Sequence, residues 1–445
     1  MQKPFIHRKG YPRTLGRWSR QFIFAAVSLA AVLPLRADTA NLTDEVRLLR
    51  EENALLQQQV KAQGAQLDTL TQKVNGFETT RQVVGGNDQP LPNPNHDFGL
   101  GQLHLSVEGG VGFAETGPDG FAPNGQFRVD EARLFLEAPV YNDVYFYGEL
   151  LLATQENPGA SAQLGELYVE FENISKLWHQ DNQLNVRLGQ MYIPFGEEYL
   201  TRNAIDNPLI THSLADFWGV TPGAELYGNF GKFSYVAAVQ NGGENAGGDK
   251  SVAGRIGFDP DEHWHFSVSG MRTGNLQANA DSLSQMWFAN GFFRSIGSAG
   301  TTQFHVNAVE ADATARWKRW NGGHASVFGG VARYDDNDPA ANNARNIYYY
   351  SGELLQNLPR KFFAVTRFSQ ALCTDGIPMV GYGGFGNYFY GPLTDNLWRL
   401  SLGLGYHFSD RLVLKAEYSF ERGTEVGGDA RTQEDFFGTE AAFKF

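Results

Sequence analysis

From Phe98 to the C-terminal Phe445, apolar and polar residues alternate with a period of two in one segment after another. Successive side chains on a strand point to opposite faces, so this pattern prescribes strands with one apolar and one polar face. "DEARLFLEA" sets Ala132, Leu134, Leu136 and Ala138 against Arg133 and Glu137. "ELYVEFE" sets Leu167, Val169 and Phe171 against Glu166, Tyr168, Glu170 and Glu172. "RLVLKAEYSFE" sets Leu412, Leu414, Ala416, Tyr418 and Phe420 against Lys415, Glu417, Ser419 and Glu421. The last ten residues, "FFGTEAAFKF", place Phe437, Thr439, Ala441, Phe443 and Phe445 on one face and both charges, Glu440 and Lys444, on the other. A soluble sandwich and a membrane barrel both satisfy such alternation. The polar face meets bulk water in the first and a water-filled lumen in the second.

Connection lengths separate the two. Strands are expected near 99–113, 126–138, 142–154, 163–173, 183–192, 223–231, 232–241, 250–259, 263–273, 303–318, 323–335, 344–357, 360–372, 396–408, 411–422 and 435–445, about sixteen in all. Short links such as "VYND", "DPDE", "NGG", "NLP" and "SD" alternate with long ones near 114–125, 155–162, 193–222, 242–249, 274–302, 336–343, 373–395 and 423–434. Short turns on one rim and long loops on the other are the layout of an outer-membrane barrel. The fold expected is all-β, a transmembrane antiparallel up-and-down barrel. An even strand number brings the C-terminus back to the rim of the N-terminus, so the strand ending at Phe445 closes the sheet.

The residues before the strands read differently. Basic residues from Lys3 to Arg20 precede the apolar run Phe22–Leu35 and then "RADTA", the layout of a secretory signal peptide, 1–37, cleaved after Ala37. Residues 38–84 carry heptads: Leu42, Leu49, Leu56, Gln63, Leu70 and Phe77 in one register, with Val46, Asn53, Val60, Leu67 and Val74 four residues after each of the first five. A seam of that spacing predicts an α-helical coiled coil, with Asn53 on the seam. "GGNDQPLPNPNHD", 85–97, is a linker, and 98–445 is the barrel. The coiled coil is expected in the periplasm, below an outer membrane. After the signal peptide no run approaches the roughly 20 apolar residues of a spanning helix, and mean hydropathy is −0.35.

Sixteen strands leave room for an aqueous channel. The polar faces would then line it with Arg133, Arg187, Arg255, Arg316, Arg399 and Lys415 and with Glu166, Glu170 and Glu417. Residues 97–445 hold 24 lysines and arginines against 41 acidic residues, while residues 1–96 hold 12 against 8. That balance gives no support to anion transport by bulk charge, and there is no basic tract for nucleic acid outside the signal peptide. The third long connection, about thirty residues with three prolines, is too long for an idle hairpin. Folded into the barrel it would form a constriction loop carrying Phe195, Glu197, Glu198, Arg202 and Asp206.

The segment "LGQMYIPFGEEYLTRNAIDNPLITHS", with Pro194, Phe195, Gly196 and Glu198, resembles the strand and loop of the phosphate-selective porin O/P-like family. The hairpin "LWRLSLGLGYHFSDRLVLKAEYSFE" and the final Phe445 are similar to that family's end. The resemblance implies a homotrimer of sixteen-stranded channels, some selecting anions through lumen arginines. The function expected is passive diffusion of small hydrophilic solutes or ions, including anions such as phosphate. The alternative is an anchor whose coiled coil tethers the membrane to the peptidoglycan. Expected partners are outer-membrane lipid and, through the C-terminal strand, the barrel-assembly machinery. No cofactor is expected. Cys373 is the single cysteine, no G-x-S-x-G elbow occurs, and His263 with His265 makes only two ligands.

Overall fold

The computed structural model describes residues 103–154, 162–215, 217–242, 249–277, 302–336, 343–380 and 389–445. The chain divides into two units, Met1–Asp88 and Gln89–Phe445, and all described residues lie in the second. The expected signal peptide, coiled coil and linker lie outside the described residues.

Sixteen long strands are present among the described residues. They are β1 His104–Thr116, β2 Gln126–Tyr141, β3 Val144–Ala153, β4 Gln163–Phe171, β5 Asn185–Tyr192, β6 Val220–Phe230, β7 Phe233–Asn241 and β8 Lys250–Asp261. The second half comprises β9 Trp264–Arg272, β10 Gln303–Trp317, β11 Gly323–Asp336, β12 Arg345–Asn357, β13 Phe362–Val380, β14 Phe389–Ser409, β15 Leu412–Glu425 and β16 Phe436–Lys444. Each pairs antiparallel with its sequence neighbours, and β1 pairs with β16 from Glu108↔Lys444 to Thr116↔Phe436. The sheet is closed. Phe445 extends the seam by one pair: its amide donates to the Val107 carbonyl at 3.0 Å, and its carbonyl accepts from the Val107 amide at 2.8 Å. A closed ladder satisfies every backbone group without water, which a lipid-facing wall requires.

The alternation sorts the faces as expected. Leu167, Leu188, Leu226, Val252, Ile256, Val268, Val309, Leu402, Leu404 and Leu414 are exposed on the outer wall. Large aromatics cluster at the short-turn rim: Tyr141, Phe230, Phe233, Trp264, Phe362, Phe408 and Phe445 are all exposed there. Amphipathic and aromatic rings at that height form the girdle of an outer-membrane barrel. The tight turn between β6 and β7 needs Gly231, whose φ is +64°.

Three departures have physical causes. A bulge in β2, where Glu131 pairs with Gly110 and Val129 with Val111, turns both Asp130 and Glu131 inward and buries them. The link between β4 and β5 lies on the short-turn rim yet holds a 3₁₀ turn, Ile174–Trp178. It is stabilised by Asn185, which accepts from the Asn173 amide at 2.7 Å. Finally, β13 and β14 run on to Val380 and back from Phe389, past their expected ends at 372 and 396.

Candidate functional site

The segment between β5 and β6, residues 193–219, turns into the barrel. Phe195 donates its amide to the Ile193 carbonyl at 2.8 Å, a three-residue turn about Pro194. Gly196 follows at φ +67°, and a Cβ there would lie 2.4 Å from Glu310 Oε1. Pro194 and Gly196 of the "PFG" motif therefore set the inward bend.

Burial explains why the segment stays inside. Leu209, Ile210, Leu214, Phe217 and Trp218 are all buried. Each large apolar side chain gains about 1.5–3 kcal/mol on leaving water. Phe195 and Phe217 pack with Ile193 and Met271 against inward residues of β10 to β13, among them Phe304, Val306, Tyr334, Ile347 and Tyr349. Leu209 joins Phe363, Val365 and Val413, and Ile210 joins Ala114 and Phe436.

Polar anchors hold the backbone of the segment. Lys415 Nζ donates to the carbonyls of Ala204 at 2.7 Å, Leu209 at 3.0 Å and Asn207 at 3.2 Å, and pairs with Glu440 at 2.6 Å. Two residues further along β15, Glu417 accepts from the amides of Ile210 at 2.7 Å and Thr211 at 2.8 Å and from the Thr211 hydroxyl at 2.6 Å. Arg399 binds Glu421 and donates to the His212 carbonyl at 3.0 Å. Arg367 donates to the Thr211 carbonyl at 2.8 Å and pairs with Glu353 at 2.6 Å. From β1 and β2, across the seam from β15, Glu108 accepts from the Asn203 side-chain amide at 2.9 Å, and Glu131 accepts from the Ala204 amide at 2.9 Å. Arg255 donates to the Gly196 carbonyl.

The expected pore-lining residues occupy the same alternate strand positions as the buried inner-wall residues, but several of them do not face open water. Arg133, Arg399, Lys415 and Glu417 are each at most 5% exposed. Arg133 lies between Glu131 at 3.0 Å and Glu149 at 2.9 Å. Arg187 bridges Glu170 at 3.4 Å and Glu225 at 3.2 Å, stacked between the rings of Tyr168 and Tyr227. Glu166 accepts from the Tyr192 amide at 3.0 Å. Arg316 is exposed at the short-turn end of β10. Glu170 is buried, held by the Tyr227 hydroxyl and Arg187.

The constriction residues divide likewise. Phe195 does not face the channel, because its ring is buried edge-on against Phe217. Arg202 is buried too, over the Trp218 ring and beside His212. Glu198 bonds the Ser213 amide at 2.7 Å. Glu197 and Asp206 remain partly exposed. Burial works against the charge of Glu197, yet the His265 hydrogen bond and the Arg255 guanidinium hold its carboxyl below its ordinary range. His265 contacts Glu197 at 2.6 Å and Asp259 at 2.8 Å through its two ring nitrogens, so both nitrogens are already engaged. Among the described residues no group of three or more metal-binding side chains occurs.

Sequence reasoning missed Arg367, Ser369 and Glu131. The inward face around Arg367 carries Phe363 and Val365, so period two gives no polar face there. The bulge at Asp130 leaves no mark in the pattern.

A closed antiparallel barrel with an apolar outer belt, an aromatic girdle and an inward-folded third long loop defines the class: an outer-membrane β-barrel of porin type. The model of the family described as phosphate-selective porin O and P matches residues 102–269, and this is the family the sequence resembles. Among solved structures, a loop-deletion mutant of OmpT, an outer membrane protein of Vibrio cholerae, shares 11% identity at a TM-score of 0.51, covering 77% of this chain and 99% of that one. An anion-selective porin from Comamonas acidovorans shares 10% at 0.50, covering 77% and 98%. At such identities the likeness shows the fold. Comparison with curated proteins found no match.

Proposed function

We propose that this chain is an outer-membrane porin, through which small hydrophilic solutes or ions diffuse passively past the constriction made by residues 193–219. One observation carries the reading: a loop anchored to the inner wall by Lys415, Glu417, Arg399 and Arg367 narrows a sixteen-stranded barrel. Sixteen strands enclose more space than side chains alone fill. The matched family's description supports a channel rather than an enzyme. Single-channel recording in planar bilayers tests the reading. Stepwise currents are the expected result. A folded barrel that never conducts would instead favour an anchor joining the membrane to the cell wall.

The pore-lining role falls best to Glu166, Arg187, Arg255 and Arg316, which keep some exposure inside or at the rim. Glu197 and Asp206 on the loop fill the constriction role. The heptads of 38–84 support a homotrimer joined by a periplasmic coiled coil. The Phe445 seam supports recognition of the last strand by the barrel-assembly machinery. Peptidoglycan remains the partner the tether reading assigns to the coiled coil.

A further inference from the structure

We propose that the outer wall binds one anionic phospholipid of the periplasmic leaflet, with an acyl chain in a groove across the barrel seam and the phosphate on Arg360, Lys361 and Arg411. The site needs the barrel to stand in an outer membrane. It does not depend on whether the channel conducts.

The groove has a volume of about 830 Å³, within the range of about 300–1,000 Å³ for small-molecule sites. Its course follows from the strand register. Phe362, Tyr406, Leu414, Ala441, Val111 and Val129 are successive cross-strand partners on β13, β14, β15, β16, β1 and β2, and all line the groove. Five steps of about 4.8 Å span about 24 Å. Strands tilted by about 45° give the row a similar slope, so it rises about 17 Å through the membrane. One leaflet contributes about 15 Å of hydrocarbon. The low end, Phe362, lies at the short-turn rim. Short turns face the periplasm in such barrels.

Side-chain size makes this stretch of wall concave. The next row runs from Leu404 through Ala416 and Thr439 to Phe113 and Phe127. Ala416, Thr439 and Ala441 form a low floor, while Leu404 and the largely exposed Phe127 stand at the ends. Lys415 and Glu440, chain neighbours of the floor, pair with each other on the inside, so the floor presents no charge. Apolar contact alone does not select one lipid from another, because every tail in a bilayer is equally apolar. Selection falls to the charges at the low end.

Two adjacent turns meet there. Phe362 opens β13 directly after the turn Pro359–Lys361. Lys361 Nζ donates one of its three hydrogens to the Phe408 carbonyl at 3.0 Å, which sets the ammonium at the foot of β14. Arg411 lies between β14 and β15, and its carbonyl accepts from the Lys444 amide at 3.0 Å. Arg360, Lys361 and Arg411 are exposed, against the single carboxylate of these two turns, Asp410. Arg360 and Lys361 hold φ at +62° and +68°. Glycine or asparagine would fill such left-handed positions with less strain, and strain of this kind gathers at ligand clamps. The exposed rings of Phe362 and Phe408 complete the mouth at headgroup level.

The test uses the full chain, extracted in mild detergent and exchanged into mixtures of phosphatidylglycerol and phosphatidylethanolamine. Native mass spectrometry then counts the lipids retained. Each cation at a membrane surface favours anionic lipid by about fivefold. Phosphatidylglycerol should therefore be retained over phosphatidylethanolamine by about tenfold or more. Arg360→Gln with Lys361→Gln and Arg411→Gln should bring the ratio close to parity. Ala441→Trp fills the floor without touching the cations, and should lower phosphatidylglycerol retention several-fold. Heat-modifiable migration on gels checks that each variant barrel is closed. Equal retention of the two lipids by the parent, or parental preference in the folded triple variant, overturns the headgroup site. Undiminished retention by folded Ala441→Trp overturns the groove. A disulfide-linked pair of chains formed in native membranes by Ala441→Cys in a Cys373→Ser background would place a second copy on this face, and overturns the lipid as its occupant.

Discussion

Replacing Lys415 with methionine removes the ammonium that holds the carbonyls of Ala204, Asn207 and Leu209 to the barrel wall. A hydrogen bond to a charged group contributes about 1.5–3 kcal/mol net. Three bonds sharing one donor do not add fully, so about 3–4 kcal/mol is a fair loss for this corner of the loop. The variant also strands Glu440, whose side chain has 0% exposure and pairs with Lys415 at 2.6 Å. An orphaned buried charge costs about 3–5 kcal/mol. Adding Glu440→Gln removes that second penalty and isolates the loop. Each 1.4 kcal/mol is about tenfold in population, so the released state should rise by two orders of magnitude or more. Glu417 and Arg399 still hold residues 210–212, so the release is confined to the 204–209 turn. Single-channel recording of Lys415→Met/Glu440→Gln should show larger mean conductance and stronger current noise than the parent. Parental conductance and parental noise from a correctly folded double variant would refute the assignment of this loop as the constriction.

Deleting Phe445 removes two seam hydrogen bonds with Val107 and one ring of the girdle. It should lower the yield of heat-modifiable barrel more than the conductance of barrels that do form, and normal membrane levels would count against it. Arg187→Ala leaves Glu170 and Glu225 without their shared cation. The reversal potential should move toward cations, provided that migration on gels confirms a closed barrel. The isolated peptide Thr39–Thr79 should self-associate, and Val60→Asp with Leu67→Asp should abolish this in sedimentation. A peptide that stays monomeric at high concentration would remove the coiled coil.

Strand existence, strand number and the sorting of faces were legible in the sequence, because the side-chain period of two is a local property of an extended chain. The outer wall faces one uniform solvent along its whole height, so Leu402, Leu404 and Leu414 announce themselves as outward without knowledge of any neighbour. The closing role of Phe445 was legible for the same reason. Glu417 and Lys415 were legible as inward residues, and "PFG" as the start of a distinctive loop. What each inward residue meets was not legible. The loop packs against inner positions of β10 to β13 that are therefore apolar, such as Phe304, Val306 and Ile347, and the period fades there. Arg367 sits two residues after Val365 on that same mixed face, and only the fold brings it to Thr211, far away in sequence. Phe195 and Arg202 read as channel-facing because a loop sequence carries no period at all. Their burial was decided by the ring of Phe217 and the indole of Trp218. The sequence determined the barrel and the inward list. Tertiary structure decided which inward charges pin the loop and which remain for the solute, because that division depends on contacts between a loop and strands up to some two hundred residues apart.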